Sequence, residues 1–169
     1  AGKSHLSANA AYDATEVVLI DEDAPDYDGN GIIAIGGGMK GALHELTLWD
    51  TNRSWSEAQQ SRTTAKTAAT NHLIGYWKLN EGMGTAATDA ARSRNMTLGA
   101  ANWYFAAANK SLAFNGAAHA DIDITACSPS AEDSYALEMW FRGDKPAAGQ
   151  TATLFSVNGD SVAAQFTDQ

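Results

Sequence analysis

The stretch Gly75-Tyr-Trp-Lys-Leu-Asn-Glu-Gly-Met-Gly84 decides the fold of this chain. It predicts a strand over residues 73–79, followed by a turn that contains Gly82 and Gly84. Short strands separated by turn residues are typical of an all-β sandwich and not of a βαβ fold. Downstream of this stretch, Gly, Pro or Asn separate further strands expected near 96–99, 111–115, 120–124, 135–142 and 152–157.

Strands and one helix are also predicted upstream. Val17-Val-Leu-Ile20 and Ile32-Ile-Ala-Ile35 are short β-branched runs. Ser54-Trp-Ser-Glu57 has the spacing of a capping box and predicts a helix of two to three turns. Between these segments, alternation over residues 42–49 places one set of side chains on each face of a strand. The two sets are His44, Leu46 and Leu48 on one face, and Leu43, Glu45, Thr47 and Trp49 on the other.

Composition favours a folded domain and excludes several classes of function. The chain has 169 residues, 44% hydrophobic and 18% charged, which is typical of a globular core. A net charge of -9 with scattered Lys and Arg argues against nucleic-acid binding, which needs concentrated positive charge. Cys127 is the single cysteine, so no intrachain disulfide can form, and no apolar run approaches the length of a membrane span.

Several motifs that follow the Gly75 stretch resemble one known family. With Thr88-Asp89, Trp103 and Ser111-Leu-Ala-Phe-Asn-Gly116, the stretch resembles the N-terminal strands of laminin G-like jelly rolls. These domains belong to the bacterial concanavalin A-like type. Tyr135-Ala-Leu-Glu-Met-Trp-Phe141 is similar to a later strand of the same family. The resemblance implies an all-β jelly-roll sandwich with one short helix.

The segment before Gly75 resembles the other end of such a domain. Gly41-Ala-Leu-His-Glu-Leu-Thr-Leu-Trp-Asp50 is similar to the family's last strand, and Arg53-Ser-Trp-Ser-Glu57 to its closing helix. The predicted organisation is therefore a C-terminal half at residues 1–60, a linker at 61–72 and an N-terminal half at 73–169.

Two arrangements of these halves remain open, and the absence of an internal repeat makes the halves complementary in both. In the first, they complete one circularly permuted sandwich in which residues 73–79 pair with 42–49. In the second, the chain is cut across two tandem modules, and each half pairs with a neighbouring module or swaps into a homodimer. Because half a sandwich exposes apolar surface and strand edges, we expect isolated residues 73–169 not to be a soluble monomer.

A calcium ion is the predicted cofactor. Asp26, Asp28 and Asn30 occupy the first three ligand positions of an EF-hand-like loop. The twelfth position holds Gly37 instead of Glu, so a carboxylate from Asp21 or Asp23 would be needed. The alternative interpretation is a polar turn between two strands.

The resemblance implies a second calcium position at a rim of the sandwich. Glu45 is the candidate metal ligand there, with Asn115 and Asp121 as further oxygen donors. His44 and His119 stand where the family carries acids, and two neighbouring imidazoles would suit zinc, but no third ligand is recognisable. Surface histidines are the favoured interpretation.

No catalytic residues are predicted. The carboxylate pair of a glycoside hydrolase is missing, since Glu132-Asp133 precede a strand and Glu138 stands alone within it. Exposed aromatic residues that stack on sugars are the better binding candidates, namely Tyr27 and Tyr104 in predicted loops. Trp49, Trp77, Trp103 and Trp140 are expected to pack in the framework, and Trp55 to fasten the helix to the sandwich.

The resemblance implies a non-catalytic module that binds a glycan or a cell-surface protein. Its parent would be a larger secreted or surface-anchored bacterial protein, which places the module outside the cell or on its surface. Two alternatives remain: a purely structural spacer, or an accessory domain of a glycoside hydrolase or protease. A fold of this kind hosts all three roles.

Overall fold

The computed structural model describes residues 17–19, 31–51, 53–106, 109–125, 136–144, 151–157 and 160–166. Twelve strands and one short helix, α1, lie within these residues. The helix is Trp55–Ser61. The strands, β1 to β12 in chain order, are Val17–Leu19, Ile32–Gly36, Lys40–Trp49, Leu73–Trp77, Ala86–Ala87, Met96–Leu98, Asn102–Ala106, Asn109–Asn115, His119–Asp123, Ala136–Gly143, Thr151–Val157 and Asp160–Phe166.

The strands form two antiparallel sheets. The larger sheet has the order β1-β12-β11-β2-β9-β6-β5, and its edge strand β1 pairs Val17 with Phe166 of β12. The smaller sheet has the order β10-β3-β8-β7, with β4 also paired to β3. The predicted all-β architecture with one short helix is confirmed. No helix among the described residues is long and apolar enough to cross a membrane.

Strand β3 organises the smaller sheet. One edge of β3 pairs with β10 along most of its length. The other edge pairs with β8 over residues 40–43 and with β4 over residues 46–49. The pairing expected between residues 73–79 and 42–49 is therefore observed, with Leu46 opposite Trp77 and Thr47 opposite Tyr76.

Strand β2 has the same role in the larger sheet, where it lies between β9 and β11. Both sheets thus combine strands from before and after the connector, residues 62–72, and in each sheet a strand from before it (β2 or β3) lies between strands from after it. One cluster of buried side chains fills the space between the sheets and includes Ile33 and Ile35 of β2 with Leu43 and Leu46 of β3. The sheets therefore pack face to face as a sandwich.

A β-bulge at His44 changes which face of β3 some side chains occupy, so the predicted assignment of Leu43 is wrong. Trp140 of β10 lies opposite Glu45, whereas Phe141 lies opposite Leu43, so His44 is an extra residue in the pairing. The extra residue moves Leu43 to the inner face that Leu46 also occupies, and Leu43 is fully buried. The prediction failed here because strict alternation of faces holds only in a strand without an extra residue.

The Gly75 stretch forms β4 for identifiable physical reasons. A Cβ atom added to Gly75 would lie 2.4 Å from the Trp77 ring, so glycine leaves room for the buried indole. The carboxylate of Asp89 accepts hydrogen bonds from the backbone N–H groups of Tyr76 (2.9 Å), Ala91 (2.8 Å) and Arg94 (3.1 Å). This buried carboxylate therefore fixes the turn after β5 against β4.

Helix α1 begins as the sequence predicts. Ser54 is the N-cap residue and forms both hydrogen bonds of a capping box with Glu57. The Ser54 N–H donates to Glu57 Oε2 at 2.8 Å, and Ser54 Oγ accepts from the Glu57 N–H at 3.3 Å. The helix ends at Ser61 and leads directly into the connector.

Candidate functional site

The candidate functional site lies on the outer face of the smaller sheet, where polar side chains project away from the core. Leu112 and Phe114 of β8 are buried in the core, so Ser111 and Ala113 point to the opposite, outer face. The same alternation places Glu138, Trp140 and Arg142 of β10 on this outer face. Helix α1 and the connector cover one half of the face.

Glu138 anchors helix α1 in the covered half. Arg53 Nε donates to Glu138 Oε1 at 2.9 Å, and Ser61 Oγ donates to Glu138 Oε2 at 2.8 Å. The Arg53 guanidinium also lies 4.0 Å from the centre of the Trp49 ring. Trp49 Nε1 donates to Thr47 Oγ1 at 3.0 Å, which leaves the indole N–H satisfied in a buried position. The carboxylate is 10% exposed and holds the residues before and at the end of the helix against the sheet.

Glu45 anchors the connector in the same way. Lys66 Nζ forms an ion pair with Glu45 Oε1 and donates to the backbone carbonyl of Ser61 at 2.7 Å. The Lys66 side chain is only 3% exposed. Tyr76 Oη donates to Glu45 Oε2 at 3.2 Å, so both carboxylate oxygens have partners. Burial and the negative charge of Glu45 raise the pKa of Tyr76 to about 12.

The two carboxylates lie near each other on one sheet face, because Glu138 is opposite Thr47 and Glu45 is opposite Trp140. Each is engaged by a cation and a hydroxyl group. A general acid or a nucleophile needs access to a substrate, and these two groups are covered by α1 and the connector. Their arrangement supports a structural role.

The other half of the outer face is open. Its floor is formed by Ala42, Ala113 and Ser111, which are half-buried, and exposed Asn102, His44 and Tyr104 stand around it. Cross-strand registers place these residues side by side: Ala42 is opposite Ala113, and Tyr104 is opposite Ser111. We call this surface the open face and define it by Ala42, His44, Asn102, Tyr104, Ser111 and Ala113.

The open face carries one of the exposed aromatic rings. Tyr104, a candidate for exposure, is 53% exposed, but it lies in β7 and not in the predicted loop. Phe105 is 61% exposed and belongs to the opposite face of the strand, where its ring borders Gly82 and Lys110. Tyr27, the other candidate, lies outside the described residues.

Strand β7 and the connector's contacts were missed by sequence reasoning. The segment Asn102–Ala106 follows Gly99-Ala-Ala101 and lacks the alternation of a half-buried strand. All five of its residues pair with β8, from Asn102 opposite Ala113 to Ala106 opposite Asn109. This pairing depends on tertiary structure and has no local sequence signal. Lys66 likewise stands in a segment of Thr and Ala, without local apolar periodicity to suggest burial.

Three of the four predicted framework tryptophans, Trp49, Trp77 and Trp103, pack in the described clusters, whereas Trp140 lies on the outer face. Trp77 and Trp49 are buried, and Trp103 and Trp140 are half-buried. Trp77 belongs to the main core and Trp103 packs against it. Trp49 lies in a second cluster on the outer face with Leu73 and Tyr76.

The predicted calcium ligands are not brought together by the described part of the chain. Asp26, Asp28 and Asn30 lie outside the described residues, as do Asp21 and Asp23. Glu45 is engaged by Lys66 and Tyr76. No group of three or more His, Cys, Asp or Glu residues among those described is placed to share a metal ion. The calcium loop stays a prediction.

The rim donors and the two histidines are separated. Asn115 Oδ1 accepts hydrogen bonds from the backbone N–H groups of Ala117 and Ala118, at 3.0 and 2.9 Å. Asp121 lies in the larger sheet, 3.5 Å from His119. His44 lies in the smaller sheet, with Nδ1 3.3 Å from the carbonyl oxygen of Lys110. The structure thus places the two histidines in different sheets.

Comparisons with protein-family models, with curated proteins and with solved structures find no match for this chain. The fold itself defines an all-β, sandwich-like protein with a partly covered outer sheet face. The residues on that face supply the basis for the functional argument.

Proposed function

We propose that this chain is a laminin G-like, concanavalin A-like jelly roll whose halves occur in permuted order. The pairing of β4 with β3 supports this proposal, because the family's first and last strands lie side by side. The strand that resembles the last one, Lys40–Trp49, is here directly beside the strand that resembles the first one, Leu73–Trp77.

The module acts, in this proposal, as a non-catalytic carbohydrate-binding unit of a secreted or surface-anchored bacterial protein. The observation that carries it is the open face, where an exposed Tyr104 ring stands beside a floor of small side chains. The C–H groups of a sugar ring pack well on an aromatic ring. Asn102, His44 and Ser111 offer the hydrogen-bond donors and acceptors that orient sugar hydroxyl groups.

Tyr104 and Phe105 provide a matched pair of variants for testing this function. Binding of the purified chain to a glycan array is measured first, and Tyr104→Ala and Phe105→Ala are then compared on the glycans that bind. We expect Tyr104→Ala to weaken binding by about tenfold or more, the effect of losing about 1.4 kcal/mol of stacking. Phe105→Ala removes an equally exposed ring from the opposite face and should leave the affinity unchanged.

Three results would contradict the proposal. Equal losses for both variants would indicate a general effect on the fold. A loss confined to Phe105→Ala would move binding to the other side of β7. No binding to any saccharide would favour a spacer or a protein-binding module.

A further inference from the structure

We propose that the saccharide bound at the open face is acidic, and that Arg142 and Lys40 bind its anionic group without a metal ion. This inference rests on the proposed carbohydrate-binding function and adds the chemical class of the ligand. The new elements are the two cations at the border of the face.

The sheet register places Arg142 directly in line with the open face. Arg142 lies opposite Ala42, Ala42 opposite Ala113, and Ala113 opposite Asn102, so four neighbouring strands contribute one transverse row. The backbones of Arg142 and Asn102, at the two ends of this row, are three strand spacings apart, a distance of about 14 Å. A short saccharide lying along the row would therefore reach from the Asn102 and Tyr104 side to the guanidinium.

Lys40 lies on the same face, two residues before Ala42 on β3. Its side chain is exposed, and the stem runs beside Gly116, where an added Cβ atom would lie 3.0 Å from Lys40 Cε. Lys40 thus lies at the end of the ladder between β3 and β8, at the border of the open face. Lys40 and Arg142 approach a ligand from adjacent strands.

The local charge differs in sign from that of the whole chain. The chain carries 20 acidic and 11 basic residues. On β3, however, the acid nearest the open face is Glu45, and its charge is compensated by Lys66. Asp144 is an exposed acid at this border in the described part of the chain, and its backbone N–H donates to the Lys40 carbonyl at 2.8 Å. Among the described residues at this border, two cations against one carboxylate without an ion pair favour an anionic ligand over a cationic or neutral one.

Arginine is suited to this task because its planar guanidinium forms paired hydrogen bonds with a carboxylate or a sulfate. Both groups occur on acidic saccharides, and the open face itself does not discriminate between them. The hydroxyl and amide groups of Ser111 and Asn102 would contact the neutral part of the sugar. Tyr104 would supply stacking, which is independent of ligand charge.

The test uses the whole chain and a glycan array with matched neutral, uronic-acid, sialylated and sulfated saccharides. The tightest carboxylated ligand is then titrated by calorimetry beside the same saccharide after reduction of its carboxylates to alcohols. We expect the acidic form to bind about tenfold more tightly or more, and to do so equally in EDTA. Preferential binding of the sulfated members would support the proposal and identify sulfate as the anion.

Variants separate the charge contribution from the stacking contribution. Arg142→Gln should lower the affinity for the acidic ligand to that of the neutral one, and Lys40→Gln should do so in part. Arg92→Gln changes an exposed arginine in a turn between β5 and β6 and should have no effect. Tyr104→Ala should weaken both ligands by the same factor.

Equal binding of the acidic and the reduced saccharide would overturn the charge inference and leave carbohydrate binding intact. Unchanged affinity for the acidic ligand in both Arg142→Gln and Lys40→Gln would also overturn the charge inference and leave carbohydrate binding intact. Loss of acidic-ligand binding in EDTA would show that a metal ion, and not Arg142 and Lys40, binds the anionic group, and would contradict the proposal. Absence of binding to every saccharide on the array would overturn this inference together with the proposed function.

Discussion

At the scale of single residues, Lys66 shows how a polar group stabilises the covered half of the outer face. Its buried ammonium compensates Glu45, and breaking a buried ion pair by removing one partner typically costs several kcal/mol. We expect Lys66→Met to lower the free energy of unfolding by about 3 kcal/mol, as measured by urea denaturation.

Lys78 and Glu45 provide the controls for this experiment. Lys78 is exposed, with Nζ 5.7 Å from the same Tyr76 ring, so Lys78→Met should change stability by less than about 0.5 kcal/mol. In Lys66→Met/Glu45→Gln the uncompensated charge is absent, and part of the lost stability should return. Equal effects of Lys66→Met and Lys78→Met would contradict a buried ion pair.

Tyr76 makes stability depend on pH in the alkaline range. Its pKa is raised from 10.0 to about 12, chiefly by burial and then by Glu45. Between these values the unfolded chain loses the phenolic proton while the folded chain keeps it, so stability falls as pH rises from about 10 to about 12. Below pH 10 both states are protonated, and this contribution is fully present.

The measurement is the urea midpoint of the wild type and of Tyr76→Phe at a series of pH values. The variant should lose the part of the alkaline decline that Tyr76 causes. An absorbance titration should also show one less late-titrating tyrosine in the variant. Identical pH profiles for the two proteins would contradict the raised pKa.

Exposure at the residue scale was predictable only in part. Tyr104 was a candidate for exposure because it lay in a predicted loop; it is exposed, but as an outward-facing residue of β7 between Trp103 and Phe105. The burial of Lys66 depends on Glu45, 21 residues away, and on Tyr76. Glu138 and Arg53 are 85 residues apart. Such pairs are set by tertiary structure, and a single sequence without relatives does not contain the information to match them.

At the scale of elements, helix α1 depends on its cap. Ser54→Ala removes the hydroxyl that accepts from the Glu57 N–H, and such a change typically costs about 1 kcal/mol. Gln59→Ala, at an exposed position in the same helix, should be neutral or slightly stabilising. Thermal or urea unfolding of the two variants tests this; a larger loss for Gln59→Ala would contradict the capping role.

Gly41 keeps β3 and β10 in register. Its φ is +147°, and an added Cβ atom would lie 2.1 Å from the Arg142 carbonyl oxygen. We therefore expect Gly41→Ala to lower the free energy of unfolding by about 3 kcal/mol, because backbone must move. Gly37→Ala meets no atom within 4 Å and bears only the strain of φ +86°, about 1 kcal/mol. Similar urea midpoints for the two variants would contradict this steric argument.

The face that each strand residue occupies could be predicted where side chains alternate regularly. The prediction failed where a bulge interrupts the alternation. The capping box is a local pattern with a fixed spacing, so Ser54 and Glu57 located the start of α1 correctly. The bulge at His44 has no comparable local signal. It lies where the edge partner of β3 changes from β8 to β4, which is a property of the assembled sheet.

At the scale of the whole molecule, the connector joins two segments that both contribute strands to each sheet. Separate residues 73–169 would lack β2 and β3, which are the partners of five other strands. We expect this fragment to be aggregated or oligomeric in size-exclusion chromatography with light scattering. Coexpression with residues 1–72 should recover a complex of about the mass of the intact chain, which is 17.8 kDa.

A stable, monomeric 73–169 fragment would contradict the interdependence of the two segments. So would a coexpressed pair that fails to associate although the intact chain is a folded monomer. An intact chain that elutes as a dimer would favour exchange of strands between copies. These outcomes separate the two arrangements that the sequence left open.

The pairing of β1 with β12 has a consequence for mechanical load. Val17 and Phe166 face each other at the same end of this antiparallel ladder. Tension applied to the chain through these two residues would open the hydrogen bonds one after another instead of shearing them together. In single-molecule pulling we expect β1 and β12 to peel away at low force before the central strands yield. A module built this way would lengthen in small steps under tension while the open face stays assembled.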